Sequence, residues 1–434
     1  MLMRKAMHTM CEWKAKENRK SLVISGARQI GKTYIVRAFG KESYESFVEL
    51  NFIENPEYKA VFEGGLDVDS LLLNLSLYVP TAKFIPGKTL ILLDEIQECA
   101  EAVTSLKFWT QDQRYDVVAT GSGLGMNYRQ TSSYPVGNVE YMNMYALDFE
   151  EFLWANNVSQ DVIEKVRDCF QKRLLVPHAI HMKLLDYLRR YMVIGGMPEV
   201  VKTYIDTKNL KDVDDVQRRL YRDYIVDIAH YASPDIQIRA EKCYRSIPAQ
   251  LTKENHKFQY KEIEHGGRAQ KYYSSVEWLL RADMVQLCKL VTDVRFDLDD
   301  YARDDFFRAY TTDLSLLMAM KDFSLKQHIV ENTLTGNSKG GIYECAIADA
   351  LYKKGYQIYF YKNETARKEI DVIIQKDGKL VPIEVKSGNT QANSLKWLMK
   401  NNRDISYGYK FADGNIGVSE EGIITLPLYM VAFI

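Results

Sequence analysis

The chain has 434 residues, 46% of them hydrophobic, and its 57 lysines and arginines almost match its 58 aspartates and glutamates. At roughly 150 residues per domain the length predicts about three domains, and the even charge balance excludes a global electrostatic bias that would name nucleic acid or a membrane surface as partner. No apolar run approaches the ~18 residues of a membrane span, and the N-terminal "MLMRKAMHTMCEWKAKENRK" has no apolar stretch before a cleavage site, so no membrane partner and a cytoplasmic location are expected. The cysteines are scattered with no C-x-x-C pair, which predicts reduced thiols, no disulfide and no zinc. His178 and His181 lack neighbours at ligand spacing and read as ordinary surface histidines.

The first ~155 residues alternate β-rich runs with helical patterns, which predicts a doubly wound parallel sheet. Its strands are expected at 21–25, 47–52, 89–95, 115–122 and 139–145. The first strand runs into "GARQIGKT", a loop of the form G-x-x-x-x-G-K-[ST] left through a helical "KTYIVRAF". Such a loop turns successive backbone N–H groups inward and makes a cavity for phosphate oxygens. Gly26, Gln29, Ile30, Gly31, Lys32, Thr33 and Tyr34 are therefore the candidate nucleotide-binding residues, with ATP and Mg2+ as the implied cofactors.

The third strand, "TLILLDE", is an apolar run ending in two carboxylates. Asp94 is expected to support Mg2+ beside the Thr33 hydroxyl, and Glu95 to polarise the water that attacks the γ-phosphate. That pair favours hydrolysis over phosphoryl transfer to a metabolite. The fourth strand closes on "ATGSG", where Thr120 and Ser122 either sense the γ-phosphate or form a plain Gly-Ser turn.

Residues 156–235 read as a helical lid and linker, broken at Gly195-Gly196 and Pro198. Residues 236–320 run helix, helix, strand, strand and suggest a winged helix. If that module reads DNA, Arg268, Gln270 and Lys271 are the base-facing candidates and Lys253 and Lys257 the phosphate-facing ones. Its near-neutral charge and the acidic "TDVRFDLDDYARDD" favour packing between domains instead.

Residues 321–434 hold a second candidate site. "KEIDVIIQKDGKLVPIEVKSG" reads as a hairpin turning at Asp377-Gly378, which sets Asp371 directly opposite Glu384, with Lys386 on the same face. Two facing carboxylates offer hard oxygen ligands to a divalent metal, and Lys386 can hold a phosphate or the attacking water. Glu344, on the preceding helix, completes the set. The bland alternative is a salt-bridge ladder among Asp371, Glu384 and Lys386.

Two resemblances follow from these motifs. "GARQIGKTYIVRAF", "ELNF", "LILLDEIQE", "ATGSGLG", "YPVGNVE", "YALDFEEFL", "YMVIGGMPEVV" and the terminal "IEVKSG" make the chain similar to AAA-type ATP-binding proteins with a C-terminal DUF4143 domain. The resemblance implies a P-loop NTPase fold, Walker A residues Lys32 and Thr33 on ATP, and Walker B Asp94 on Mg2+. Many members carry a basic residue in the segment that here reads "PVGNVE"; this chain has Asn138, and Arg129 is a poor substitute for an arginine finger. The order of a helical acid, Asp371 and E-x-K also resembles the PD-(D/E)xK nuclease superfamily, which implies a restriction-endonuclease-like α/β domain that cuts or only grips nucleic acid. The expected function is Mg-dependent ATP hydrolysis coupled to a nuclease-like domain acting on or binding DNA. The alternative is an ATP-driven switch for a protein client, with a recognition domain at the C-terminus; an oligomer is compatible with either.

Overall fold

The computed structural model describes residues 2–121, 137–251, 257–388 and 390–434. The chain divides into two compact units, one of residues 3–146 with 281–283 and one of residues 147–280 with 284–434.

The first unit begins with α1 (Lys5–Ala15) and then alternates β1 (Ser21–Ser25), α2 (Lys32–Ser43), β2 (Ser46–Asn51), α3 (Val68–Tyr78), β3 (Thr89–Asp94), α4 (Ala100–Asp112), β4 (Asp116–Thr120) and β5 (Val139–Asn143). The strands lie in the order β2-β3-β4-β1-β5, every pair parallel. Each strand falls within two residues of its expected ends. β3 is buried along its whole length, as a central parallel strand covered on both faces must be. Leu71, Leu75, Leu93, Ala102, Leu106 and Trp109 pack one helical layer onto the sheet. The carboxyl ends of β1, β3 and β4 meet along one edge, where open α/β sheets place their ligands.

The second unit opens with helices α5 (Phe149–Ala155), α6 (Gln160–Lys172), α7 (His178–Ile194), α8 (Pro198–Thr207), α9 (Leu210–Tyr231), α10 (Pro234–Gln250) and α11 (Ala269–Arg281). Then come β6 (Val285–Val291), β7 (Ala302–Thr311), α12 (Leu314–Ala319), α13 (Phe323–Val330), α14 (Gly336–Tyr352), β8 (Ile358–Asn363), β9 (Lys368–Lys376), β10 (Lys379–Val385), α15 (Asn393–Asn401), β11 (Gly408–Ala412), β12 (Gly417–Val418) and β13 (Ile423–Pro427). Gly195-Gly196 does break α7 from α8, and the Gly196 N–H is tied to Asp313 at 2.9 Å. Lys353 and Lys326 have buried ammonium groups in this unit: Lys353 reaches Asp313 at 2.6 Å and Asp349 at 2.9 Å, and Lys326 reaches Gln217 at 2.7 Å and also Asp214. A buried lysine persists only where carboxylates and carbonyls replace its hydration. His181, expected at the surface, is buried with Nδ1 2.9 Å from the Tyr429 hydroxyl.

The strands of this unit form one mixed sheet in the order β12-β13-β11-β10-β9-β8-β6-β7. The two strands expected as the wing of a separate winged helix, β6 and β7, are its edge, because β6 pairs in parallel with β8 through Cys288↔Ile358 to Val291↔Tyr361. The expected boundary near 320 therefore falls inside a hydrogen-bonded sheet. Local helix and strand signals cannot reveal that pairing, since they carry no information on a strand's distant partner.

Candidate functional site

The glycine loop leaves β1 at Gly26 and enters α2 after Gly31, whose φ of 89° supplies the left-handed turn that aims the helix N-terminus back at the loop. A Cβ on Gly26 would meet the Met144 carbonyl oxygen at 2.1 Å and Ile30 Cδ1 at 2.8 Å, so the loop passes where only glycine fits. Ile30, 1% exposed, pins the loop from beneath, and Arg4 Nη1 holds its carbonyl at 3.0 Å. Gln29 has φ 61°, and Tyr34 stands 59% exposed at the rim.

Lys32 is buried, and its ammonium donates to the carbonyls of Gly26 at 3.0 Å and Ala27 at 2.7 Å. Burial draws its pKa down to about 8, against the pull of Glu95 and Asp94. Asp94, 3% exposed, accepts from Thr33 Oγ1 at 2.8 Å, from Asn51 Nδ2 at 2.9 Å and from the Thr120 hydroxyl. All three donors are neutral, and the carboxylate lies beside the Thr33 hydroxyl, an oxygen set that suits a divalent cation. Thr33 and Asp94 thus fit the expected Mg2+ position. Glu95 follows immediately, in left-handed backbone at φ 54° and ψ 47°, and its Oε2 accepts from Gln97 Nε2 at 2.6 Å. Ser122 and Arg129 lie outside the described residues.

The hairpin of the second unit has the expected register: Lys379↔Lys376 through Ile383↔Val372 are paired, and one step further Asp371 stands opposite Glu384. The side chains then part. Asp371 Oδ2 accepts from the Val385 N–H at 2.8 Å, while Glu384 accepts from the Leu395 N–H at 3.0 Å and pairs with Lys386 at 2.6 Å. Glu344 faces Arg308 Nη1 at 2.7 Å and the Tyr310 hydroxyl. Arg308, 1% exposed, also reaches Glu369 and the Asp371 carbonyl oxygen, and lies 4.3 Å from the centre of the Phe360 ring. Burial first, then Glu344, pushes the Asp371 carboxyl up to about 7, with Arg308 pulling the other way. Among the described residues no three His, Cys, Asp or Glu side chains gather to hold a metal ion. The arrangement differs from the metal set expected on Glu344, Asp371 and Glu384 because each acid is turned to a donor of the chain itself, and a guanidinium lies among them.

Of the winged-helix candidates, Lys271 pairs with Glu264 and Lys257 lies over the Phe306 ring at 3.3 Å; Lys253 is outside the described residues. Asn51, Gln97 and Arg308 are not among the residues the sequence motifs single out. Asn51 had a signal, as a polar residue at the carboxyl end of a strand in register with Asp94.

Fold and loop together define a P-loop NTPase fold. Family models match the chain in three segments: an AAA domain over residues 18–153, a domain of unknown function (DUF8612) over 185–327, and a domain of unknown function (DUF4143) over 339–430. The chain thus carries an AAA domain and, at its C-terminal side, a DUF4143 domain. No curated protein matches the sequence. Among solved structures it is similar to the Walker-type ATPase PABY2304 of Pyrococcus abyssi, at 12% identity and a TM-score of 0.44 over 74% of this chain and 96% of that one. It is also similar to the Aeropyrum pernix ORC1 protein in complex with DNA (12%, TM-score 0.30, 76% and 93%) and to AMPPCP-bound DnaA from Aquifex aeolicus (12%, TM-score 0.26, 64% and 85%).

Proposed function

We propose that the chain is an Mg2+-dependent ATPase whose P-loop unit drives a C-terminal domain that grips nucleic acid without cutting it. The observation that carries the ATPase reading is Asp94, buried and held by three neutral donors, beside Thr33 and Lys32. In use, the Lys32 ammonium leaves the Gly26 and Ala27 carbonyls for the β- and γ-phosphate oxygens, and backbone N–H groups of the Gly31 to Tyr34 turn take the remaining phosphate charge. Thr33 and Asp94 would hold Mg2+, which when bound would supply charge neutralisation for phosphoryl transfer. Glu95 accepts the proton of the attacking water, and Thr120, bonded to Asp94 at the end of its strand, is the residue we assign to sensing the γ-phosphate.

Gripping is favoured over cutting because Glu344, Asp371 and Glu384 each already accept from the protein's own donors. The order of Glu344, Asp371, Glu384 and Lys386 keeps nucleic acid as the first partner class. A protein client is the second reading, favoured by the acidic stretch before and along β7 and by Lys271 and Lys289 being paired with Glu264 and Asp304.

The test is ATP binding by calorimetry and turnover with Mg2+. Lys32→Ala should lose binding, and Glu95→Gln should bind within about threefold of the parent while turning over about a hundredfold more slowly. Unchanged affinity in Lys32→Ala would refute the assignment. Turnover stimulated by DNA, without cleavage in Mg2+ or Mn2+, separates gripping from cutting and from a protein client.

A further inference from the structure

Gln97 sits in the 3-10 turn Ile96–Glu98 directly after β3 and belongs to none of the binding groups described above. Its Nε2 donates to Glu95 Oε2 at 2.6 Å, while its Oε1 is buried with no hydrogen-bond partner among the described residues. A buried carbonyl oxygen without a donor costs stability, so an amide kept in this state is not there to strengthen the fold. The opposite orientation of the amide would turn its oxygen onto the Glu95 carboxylate, which repels it; only the donating orientation is attractive.

The amide also has a wall behind it. A Cβ on Gly121, the residue after β4, would lie 2.7 Å from Gln97 Oε1, so the bare backbone there leaves room for the side chain and little else. The Glu95 charge favours the charged form of Lys32, against the burial that draws its pKa down. An unrestrained carboxylate at the end of a left-handed residue would be drawn to that ammonium. The resulting ion pair would occupy both the cation meant for phosphate and the base meant for water.

Resting on the ATPase reading, we infer that Gln97 is a positioning residue that holds the Glu95 carboxylate off Lys32 and toward the attacking water, with Gly121 as the backstop that fixes its amide. The water oxygen then bonds to the γ-phosphorus as the bond from that phosphorus to the departing ADP oxygen breaks, the water proton passes to Glu95, and Gln97 neither gains nor loses one.

The experiment measures ATP affinity, kcat and thermal midpoint on the full chain. Gln97→Met, close in size and without the amide, should keep ATP affinity within about threefold and lower kcat by about tenfold or more. Gly121→Ala, which drives a methyl group into Gln97, should reproduce that split from the other side. In a Glu95→Gln background Gln97→Met should lower kcat by less than about twofold, because the residue it positions is already gone. Parental kcat in both folded single variants, or an undiminished tenfold loss in the Glu95→Gln background, would overturn the inference. If Gln97→Met fails to fold, Gly121→Ala decides alone. Parental turnover by Glu95→Gln itself would instead overturn the role of Glu95, and this inference with it.

Discussion

Arg308→Met should destabilise the second unit by an amount the structure sets. The guanidinium is 2% exposed against a Glu344 side chain 6% exposed, and removing one partner of such a buried pair costs about 3–5 kcal/mol, most of it the charge left behind. Glu369 is 36% exposed, so water screens its share and it adds little. For a unit of about 285 residues, at ~2.1 cal/mol/K each, ~4 kcal/mol lowers the thermal midpoint by about 7 °C. Urea unfolding followed by circular dichroism measures the loss. Because the cost lies in an unpaired charge, Glu344→Gln added to Arg308→Met should return about 1–3 kcal/mol of it. Millimolar Mn2+ should raise the midpoint of Arg308→Met and leave that of the parent unmoved. A loss below about 1 kcal/mol, or no recovery with Glu344→Gln, would refute the reasoning; a parental midpoint raised by Mn2+ would return a metal to this face.

Two dependences on pH follow. Lys32, drawn down to about 8 by burial, must be charged to hold phosphate, so the free protein has to take up a proton to bind ATP above that pH. Affinity should fall toward about tenfold per pH unit past 8, and calorimetry in buffers of different ionisation heat should show proton uptake at about pH 9 and none near 6.5. Asp349 is fully buried and pushed up to about 7, burial outweighing the pull of Lys353. Its folded pKa lies above the ordinary value, so the native state binds the proton more tightly and stability falls as pH rises from about 4 to 7, by at most ~1.4 kcal/mol per unit, then levels. Asp349→Asn should flatten that slope in denaturant midpoints taken at several pH values; an unchanged slope would assign the dependence elsewhere.

The first unit was legible because its signals are local. "SLVIS" and "TLILLD" are apolar runs bounded by turn residues, and the glycine loop and the acids at the end of β3 sit where a parallel sheet brings strand ends together. The register of the second hairpin was equally legible, since the Asp377-Gly378 turn fixes every pair after it. What register could not give was the direction of the side chains. Asp371 and Glu384 face each other as residues yet turn to Val385 and Leu395, and Arg308 comes from a strand outside the hairpin. Long-range pairing explains the other miss: β6 and β7 look like an independent wing until β8, more than sixty residues downstream of β6, is laid beside them. Gln97 carried no legible signal, because a glutamine after two acids is common and only its packing against Gly121 distinguishes it.

The pairing of β6 with β8 has a consequence for what can be inherited as one piece. The DUF4143 match starts at residue 339, after β6 and β7 have passed, yet β8 carries ladder bonds to β6 on one side and to β9 on the other. A segment copied from 339 onward would present β8 as a bare edge, a row of unpaired N–H and C=O groups open to any strand it meets. Within the cell such a fragment invites aggregation before it finds a host. Recombination at that border should therefore be selected against unless residues 285–311 travel with it, so the inheritable unit here is longer than the DUF4143 match alone.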